Sequence, residues 1–297
     1  MSPKFSGVFA ALTTPFAEEE IATEKLRENI QKYNQSDLSG YVVLGSTGEC
    51  VSLSDEESET LVKTSRDAAS SGKKVIAGTA RESTKFTLEF TQRMADLGVD
   101  AALVRPPSYY KSKMNRDVLK RHYLTLADQS KIPLIIYNIP QNTGISLESR
   151  LIVELSAHPN IAGLKESAGN LAFLGEVIPQ VREDFSYLLG AGSVFLPGLI
   201  LGASGSILAL ADAVPGLCVK VHRLFLEGKF NEASRLQLDL IPLNKAIIEV
   251  YGIPGLKYAL DLQDYYGGLC RQPFLPLEEK GKKEIEGLLR NLGLIPD

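Results

Sequence analysis

Eight short apolar runs recur along the chain, and segments with helical spacing of their apolar residues lie between the first seven. The runs are GVFAAL from Gly7, YVVLG from Tyr41, VIAGT from Val75, AALV from Ala101, LIIYN from Leu134, IAGLK from Ile161, YLLGA from Tyr187 and SILAL from Ser206. Apolar strands that alternate with helices are typical of a parallel sheet covered by helices. Eight such units that close on themselves make an α/β protein with a (β/α)8 TIM barrel, and a doubly wound open sheet is the alternative.

The residues after the eighth run carry helical patterns but are too few for another α/β domain. The total of 297 residues fits one barrel, which uses roughly 250 residues, plus an extension. We therefore predict the barrel over residues 1–213. Residues 214–297 are predicted to form the last barrel helix and a C-terminal helical extension, and the whole chain one catalytic unit.

Two signals predict where helices begin. Thr23 precedes the first helical pattern, and Ser54 with Glu57 has the spacing of a capping box before the second. We expect both Thr23 and Ser54 to cap their helices.

The charge balance limits the kinds of partner. The formal net charge is −4 and no basic block occurs, which argues against binding to nucleic acid or an anionic membrane. The first sixteen residues show neither a secretory signal nor a transit peptide, so a cytoplasmic location is expected. The expected partner is a small molecule.

The histidines and cysteines predict no metal site. His122, His158 and His222 lack the spacing of metal ligands. The three cysteines are far apart and are predicted to be small buried residues. No cofactor is expected.

The ends of the fifth and sixth runs carry the residues best suited to covalent chemistry, because barrel enzymes react at the carboxyl ends of their strands. Lys165 ends the sixth run in an apolar setting, where desolvation favours the neutral amine that attacks ketones. Tyr137 ends the fifth run and can pass protons at the same mouth. The alternatives are a lysine that reaches solvent and a tyrosine that belongs to the core.

Two glycine-rich turns follow other runs. The segment Gly45–Gly48 offers hydroxyls and backbone N–H groups that suit a carboxylate, although it is also compatible with a simple tight turn. The segment Gly190–Ser193 lacks a G-x-G-x-x-G pattern, so a plain turn is predicted there rather than a phosphate site.

Four of these segments, taken together, resemble one family of barrel enzymes. Gly-Ser-Thr-Gly-Glu from Gly45, the Tyr109-Tyr110 pair, Tyr-Asn-Ile-Pro from Tyr137 and Gly-Leu-Lys-Glu from Gly163 are similar to the motifs of the dihydrodipicolinate synthase / N-acetylneuraminate lyase family of Schiff-base class I aldolases. The resemblance covers nearly the whole chain.

The resemblance implies a role for each matching residue. Lys165 forms a Schiff base with pyruvate or another 2-oxo acid, and Tyr137 is its acid–base partner. Ser46 links Tyr137 to Tyr110 in a proton relay, and Tyr110 typically reaches it from a neighbouring subunit. Thr47 holds the 2-oxo acid carboxylate. Self-association as a dimer of dimers, hence a homotetramer, is implied as well.

The motifs are most similar to those of the 4-hydroxy-2-oxoglutarate aldolases within this family. Asn142 stands where the lysine-biosynthesis synthases have an arginine, and Ser167 follows the lysine as it does in those aldolases. Thr47 and Arg105 differ from the animal form of that aldolase. Gly252-Ile-Pro-Gly-Leu-Lys257 and Tyr265-Tyr-Gly-Gly-Leu-Cys270-Arg271 complete the resemblance. The predicted substrate-binding residues are Thr47, Ser167, Asn142, Arg105 and Ile207.

The leading hypothesis is a class I lyase that cleaves 4-hydroxy-2-oxoglutarate to pyruvate and glyoxylate. The alternatives within the family are dihydrodipicolinate synthase, which joins pyruvate to aspartate semialdehyde, and an aldolase or dehydratase of 2-keto-3-deoxy sugar acids. A catalytically silent barrel that binds a 2-oxo acid is the alternative from another class.

Overall fold

The structure, a computed structural model, describes residues 3–296. Its strands are β1 (Gly7–Ala11), β2 (Phe16–Ala17), β3 (Glu20–Ile21), β4 (Gly40–Val43), β5 (Lys74–Gly78), β6 (Ala101–Val104), β7 (Leu134–Asn138), β8 (Ile161–Glu166), β9 (Ser186–Leu189) and β10 (Gly205–Leu208). Eight of them form a closed barrel in the order β1-β10-β9-β8-β7-β6-β5-β4, while β2 and β3 make a two-stranded antiparallel sheet. The predicted (β/α)8 barrel is confirmed, and the open sheet is excluded.

Helices follow the barrel strands, as the alternating pattern predicts. They are α1 (Thr23–Tyr33), α2 (Asp55–Ala68), α3 (Thr84–Asp96), α4 (Arg116–Gln129), α5 (Pro140–Thr143), α6 (Ser149–Ser156), α7 (Leu171–Val177), α8 (Phe195–Ile200), α9 (Leu210–Ala213), α10 (Pro215–Leu226), α11 (Phe230–Asn244), α12 (Gly252–Asp261) and α13 (Glu279–Asn291). A π-helical segment, Lys245–Val250, continues α11. The C-terminal helices that the sequence predicts are present.

Two sequence predictions about single residues need correction. Thr23 is the first residue of α1, and the capping position is held by Ala22, which makes no side-chain cap bond. Of the cysteines, Cys218 is buried, but Cys50 and Cys270 are partly exposed, because Cys50 begins a short 3₁₀ helix after the barrel strand and Cys270 lies in a loop. The capping box of Ser54 and Glu57 is confirmed.

The described residues divide into two compact units. The first contains the residues up to Gly7 and Ile76–Ile207, and its centre is formed by β6 to β9, in which every residue is buried. Parallel pairing runs from β6 through β7 and β8 to β9.

The second unit contains Val8–Val75 and the described residues from Leu208 onward. Residues distant in sequence meet within it: the Tyr33 hydroxyl donates to the Asp212 carbonyl at 2.9 Å, and the rings of Tyr33 and Tyr265 stack at 4.7 Å. Asn29 exchanges two hydrogen bonds with the backbone of Tyr266. The predicted boundary at residue 213 stays a prediction.

Within residues 3–296, no helix combines the length and the apolar character that crossing a lipid bilayer requires.

Candidate active site

The pairing of β7 with β8 brings two predicted catalytic residues together. Tyr137 and Lys165 are direct partners in the parallel register, so their side chains leave the sheet on the same face. The Lys165 Nζ lies 3.3 Å from the Tyr137 hydroxyl, to which it donates a hydrogen bond, and 4.3 Å from the centre of the tyrosine ring. An amine and a phenol at this distance can exchange a proton.

Both side chains are buried, with 4% of Lys165 and 6% of Tyr137 exposed. A lysine that merely reached solvent would be far more exposed, so the structure argues against that alternative. The amine and the phenol therefore meet away from bulk solvent at the ends of their strands.

Glu166, the next residue along β8, organises the loop after the strand. Its carboxylate accepts hydrogen bonds from the backbone N–H groups of Ala168 (2.7 Å), Gly169 (3.0 Å) and Asn170 (3.3 Å). Burial raises the pKa of Glu166, and the N–H donors oppose that rise. Glu166 is thus a structural carboxylate that fixes the chain directly after the lysine.

Ser167 lies in this loop and packs against the end of β9. Its backbone N–H donates to the Asn138 carbonyl at 3.0 Å, which joins the ends of β7 and β8. A Cβ atom added to Gly190 would lie 1.9 Å from the Ser167 Oγ. Only a glycine at position 190 leaves room for this serine, which is a physical reason for the glycine-rich turn there. That turn continues into a short 3₁₀ helix, Gly192–Val194.

Asn142 lies in α5, immediately after β7, and is exposed. The helix ends at Gly144, whose φ of +66° belongs to the left-handed region that favours glycine. The side chain of Lys111 crosses this turn, because a Cβ on Gly144 would lie 3.3 Å from the Lys111 Cδ and 3.5 Å from its Nζ. A lysine therefore supplies positive charge beside the turn that carries Asn142.

Arg105 already has an anionic partner. Its guanidinium lies 2.9 Å from the carboxylate of Glu82, which also accepts the backbone N–H groups of Ser108 and Tyr109 at 2.8 Å each. Burial acts to raise the pKa of Glu82, but these N–H groups and Arg105 together hold it below its usual value. The ion pair shapes the segment that leads to Tyr110.

Tyr109 and Tyr110 are exposed by 79% and 70%. Their rings meet edge to face at 5.0 Å. Two adjacent aromatic rings in solvent are unusual on the surface of a lone subunit, and such residues are enriched where proteins associate.

Ser46 and Thr47 belong to the second unit, in the turn that follows β4. The Gly48 N–H donates to the Gly45 carbonyl and the Glu49 N–H to the Ser46 carbonyl, both at 3.1 Å, and both hydroxyl-bearing residues are half-buried. The Thr14 hydroxyl fixes the same turn by donating to the Gly48 carbonyl at 2.7 Å. The two bonds that close the turn do not use the N–H groups of Ser46 and Thr47. The relay from Tyr137 through Ser46 to Tyr110 stays a prediction.

The remaining predicted residue, Ile207, is fully buried in β10. Within the described part of the chain, no three His, Cys, Asp or Glu side chains form a group that could hold a metal ion.

Sequence reasoning missed Glu166 and Lys111. Glu166 directly follows Lys165, and this adjacency could have marked it as a site residue. Its backbone partners, however, depend on a loop conformation that no residue pattern shows. Lys111 directly follows Tyr110, and its reach across Gly144 depends on how two loops meet.

A parallel barrel with a buried lysine beside a tyrosine at the strand ends has the arrangement of a lysine Schiff-base, or class I, lyase. Comparison with known proteins agrees: the model of the dihydrodipicolinate synthetase family matches residues 4–292. The chain belongs to this family and is a lyase of the class I aldolase type.

Curated relatives and solved structures extend the match over the whole chain. The chain is 36% identical to 4-hydroxy-tetrahydrodipicolinate synthase of Natronomonas pharaonis, with 97% of this chain and 98% of the relative covered. It is 33% identical to the enzyme of that name from Methanocaldococcus jannaschii, with 98% and 100% covered. The crystal structure of dihydrodipicolinate synthase from Aquifex aeolicus superposes with a TM-score of 0.92 at 31% identity, covering 98% of this chain and 99% of that one. The names of these relatives agree with the synthase alternative better than with the 4-hydroxy-2-oxoglutarate aldolase hypothesis.

Proposed function

We propose that Lys165 forms a Schiff base with pyruvate and that the enzyme joins this pyruvate to aspartate semialdehyde. The observation that carries the covalent step is the buried contact of 3.3 Å between the Lys165 Nζ and the Tyr137 hydroxyl. The names of the relatives support the choice of second substrate.

Lys165 and Tyr137 carry the proton transfers at the reacting atoms. The Lys165 amine adds to the ketone carbon and passes one N–H proton to the oxygen. The Tyr137 phenol gives that oxygen a second proton, so it leaves as water, and a protonated imine and a phenolate remain. The protonated imine then draws the electron pair from a C–H bond of the pyruvate methyl group, and that proton passes to the tyrosine. The resulting enamine attacks the aldehyde carbon, and the aldehyde oxygen takes a proton from the tyrosine. One water molecule then adds to the imine and releases the product and the free lysine amine, and the proton left over returns to the tyrosine.

The turn after β4 is proposed to hold the pyruvate carboxylate. The Thr47 hydroxyl and the N–H groups of Ser46 and Thr47 are the donors. Support comes from the two hydrogen bonds that close this turn, because they leave these two N–H groups to other partners. Several N–H donors in one turn form the kind of nest that binds anions.

Lys111 supports a second substrate that carries a carboxylate. Asn142 replaces the arginine of the lysine-biosynthesis synthases, but the Lys111 side chain crosses the neighbouring turn at Gly144. An ammonium group can attract a distal carboxylate, although it lacks the two-pronged geometry of a guanidinium.

Cleavage of 4-hydroxy-2-oxoglutarate to pyruvate and glyoxylate is the second candidate. Asn142 favours it, because this residue stands where the lysine-biosynthesis synthases have an arginine and matches the motif of the 4-hydroxy-2-oxoglutarate aldolases. Ser167 would contact the distal end of this substrate, whereas Arg105 is paired with Glu82.

Two measurements test the proposal. Sodium borohydride with pyruvate should add one pyruvate unit to Lys165, seen by intact mass and peptide mapping, and Lys165→Ala should take up none. A label on another lysine would overturn the Schiff-base assignment. The kcat/KM values for aspartate semialdehyde condensation and for 4-hydroxy-2-oxoglutarate cleavage then decide the substrate, and a faster cleavage would favour the second candidate.

The homotetramer, a dimer of dimers, belongs to this proposal as well. The exposed pair Tyr109 and Tyr110 supports it, because contact with a neighbouring subunit would cover both rings. Tyr110 would then enter the active site of that neighbour. The cytoplasmic location stays a prediction.

A further inference from the structure

A buried ion pair lies directly behind the turn that carries Ser46 and Thr47. The carboxylate of Glu49, the last residue of the Gly45–Glu49 turn, lies 2.7 Å from the Lys257 Nζ of α12, and the two side chains are 0% and 1% exposed. Neither side chain is among the predicted site residues. Glu49 ends the Gly-Ser-Thr-Gly-Glu motif, and Lys257 ends the Gly-Ile-Pro-Gly-Leu-Lys motif near the C-terminus.

Each charge has further partners. The Lys257 ammonium donates to the Leu269 carbonyl at 2.8 Å and lies 4.7 Å from the centre of the Phe16 ring. The second carboxylate oxygen of Glu49 accepts the backbone N–H of Arg271 at 2.9 Å. Because a buried ion is costly unless it is paired and hydrogen-bonded, this set of contacts fixes the position of Glu49 tightly.

The backbone conformation of Glu49 is evidence that these contacts fix its position. Its φ of +55° lies in the left-handed region, which residues other than glycine adopt rarely and keep only where their surroundings impose it. The Glu49 N–H also donates to the Ser46 carbonyl, so the conformation of Glu49 is coupled directly to the residues that would face the substrate.

The C-terminal segment that contacts Glu49 also contacts the chain that follows Glu49. The Arg271 guanidinium binds both carboxylate oxygens of Glu57, at 2.6 and 2.8 Å, and donates to the Ser52 carbonyl at 2.7 Å. The C-terminal segment therefore holds both ends of the stretch from Glu49 to Glu57.

We propose that the Glu49–Lys257 ion pair is the positioning device for the 2-oxo acid carboxylate. The pair holds the N–H groups of Ser46 and Thr47 in the orientation that binds the carboxylate, and through it the C-terminal helices determine affinity for pyruvate. This inference rests on the proposed function of Lys165 and of the Gly45–Glu49 turn.

The test measures how borohydride trapping on Lys165 depends on ketone concentration. Lys257→Met alone leaves a buried unpaired carboxylate and is expected to unfold readily, so the main variant is the double change Glu49→Gln with Lys257→Met, which removes both charges and keeps the volumes. We expect the pyruvate concentration at half-maximal trapping to rise about tenfold, while the rate at saturation stays within about twofold, since only binding is lost.

Acetone forms a Schiff base but has no carboxylate. It therefore separates a loss of carboxylate binding from a general disturbance of the active site. Its concentration dependence should be the same in the double variant and in the parent. Thr47→Val should show the same selective loss for pyruvate. Asp184→Asn is the matched control, because it weakens an ion pair of 2.8 Å in the other unit, and it should leave both curves unchanged.

The trapping curves distinguish a failure of the proposed function from a failure of the positioning role. If the parent traps no pyruvate, the proposed function itself fails. If the parent traps pyruvate and the double variant shows an unchanged pyruvate curve, or weakens pyruvate and acetone equally, the positioning role is wrong while the Schiff base stands.

Discussion

Two adjacent side chains at the end of β8 have opposite environments. Lys165 contacts the Tyr137 hydroxyl, whereas the Glu166 carboxylate accepts backbone N–H groups of the following loop. Successive residues of a strand point to opposite faces, so one strand end supplies both the proposed nucleophile and the carboxylate that fixes the loop beside it. The position of the lysine is thereby set by the strand rather than by a mobile loop.

Tyr137→Phe tests the proton transfers at this scale. The variant keeps the ring but loses the hydroxyl 3.3 Å from the lysine, so kcat should fall by about 10²- to 10⁴-fold, the usual contribution of general acid–base catalysis. Steady-state kinetics with pyruvate and the preferred second substrate measure the loss.

Tyr123→Phe is the matched control. Its buried hydroxyl donates to the Val104 carbonyl at 3.2 Å, so its removal should cost about 1 kcal/mol of stability and leave kcat near the parent value. Equal activity of Tyr137→Phe and the parent would make Tyr137 a packing residue.

At the scale of single elements, the start of α2 can be tested directly. The Ser54 hydroxyl accepts the Glu57 N–H at 3.1 Å, and the Glu57 side chain accepts the Ser54 N–H at 2.8 Å. Ser54→Ala should lower the free energy of unfolding by about 1 kcal/mol, the typical cost of a lost cap. Thr23→Ala, at a residue that makes no cap, should change it little. Equal losses in urea denaturation of the two variants would contradict this assignment.

The packing of α3 against α4 makes stability depend on pH. The His122 Nδ1 and the Thr84 hydroxyl are 2.8 Å apart, and burial lowers the pKa of His122 to about 4 against a small opposing effect of the Glu82 carboxylate. The unfolded chain binds the proton near pH 6.5, so the native state loses stability as the pH falls from about 6.5 to about 4.

His122→Gln removes this titration. Its melting temperature should therefore fall less than that of the parent between pH 7 and pH 4.5, as differential scanning calorimetry would show. Parallel curves for the two proteins would mean that His122 does not titrate differently on folding.

The elements themselves were largely predictable. All eight barrel strands follow from apolar runs, because a strand buried on both faces must be apolar throughout. The start of α1 was not predictable. Threonine is common at the capping position, and only the backbone shows that the helix begins at Thr23 and not after it. The π-helical continuation of α11 has no signal in the sequence that we recognise.

At the scale of the whole molecule, the exposed Tyr110 predicts sites that are shared between subunits. Tyr110→Phe and Lys165→Ala should each be impaired as pure proteins. Mixed oligomers refolded from the two should regain part of the activity, because some sites would combine an intact lysine with an intact tyrosine from a neighbour. Absence of recovery in oligomers shown by mass spectrometry to be mixed would mean that each site is built from one chain.

The candidate site was only partly predictable, because several of its contacts join residues that are far apart in the sequence. Lys165 and Tyr137 could be found because neighbouring parallel strands bring their ends together. Arg105 was expected at the substrate, yet its partner Glu82 lies 23 residues away, and a sequence does not show which carboxylate an arginine meets. The Lys257–Glu49 pair was within two recognised motifs, but nothing in either motif showed that they touch.

That pair also sets an order of events while the protein is being made. The Arg271 backbone N–H donates to the Glu49 carboxylate from 222 residues away, and Lys257 likewise leaves the ribosome long after Glu49. At translation rates of roughly 5–20 residues per second, about 10 to 45 s separate the synthesis of Glu49 from that of Arg271. During that interval the Glu49 carboxylate lacks its native partner Lys257. The proposed pyruvate-binding turn therefore gains these contacts only when synthesis of the chain is almost complete.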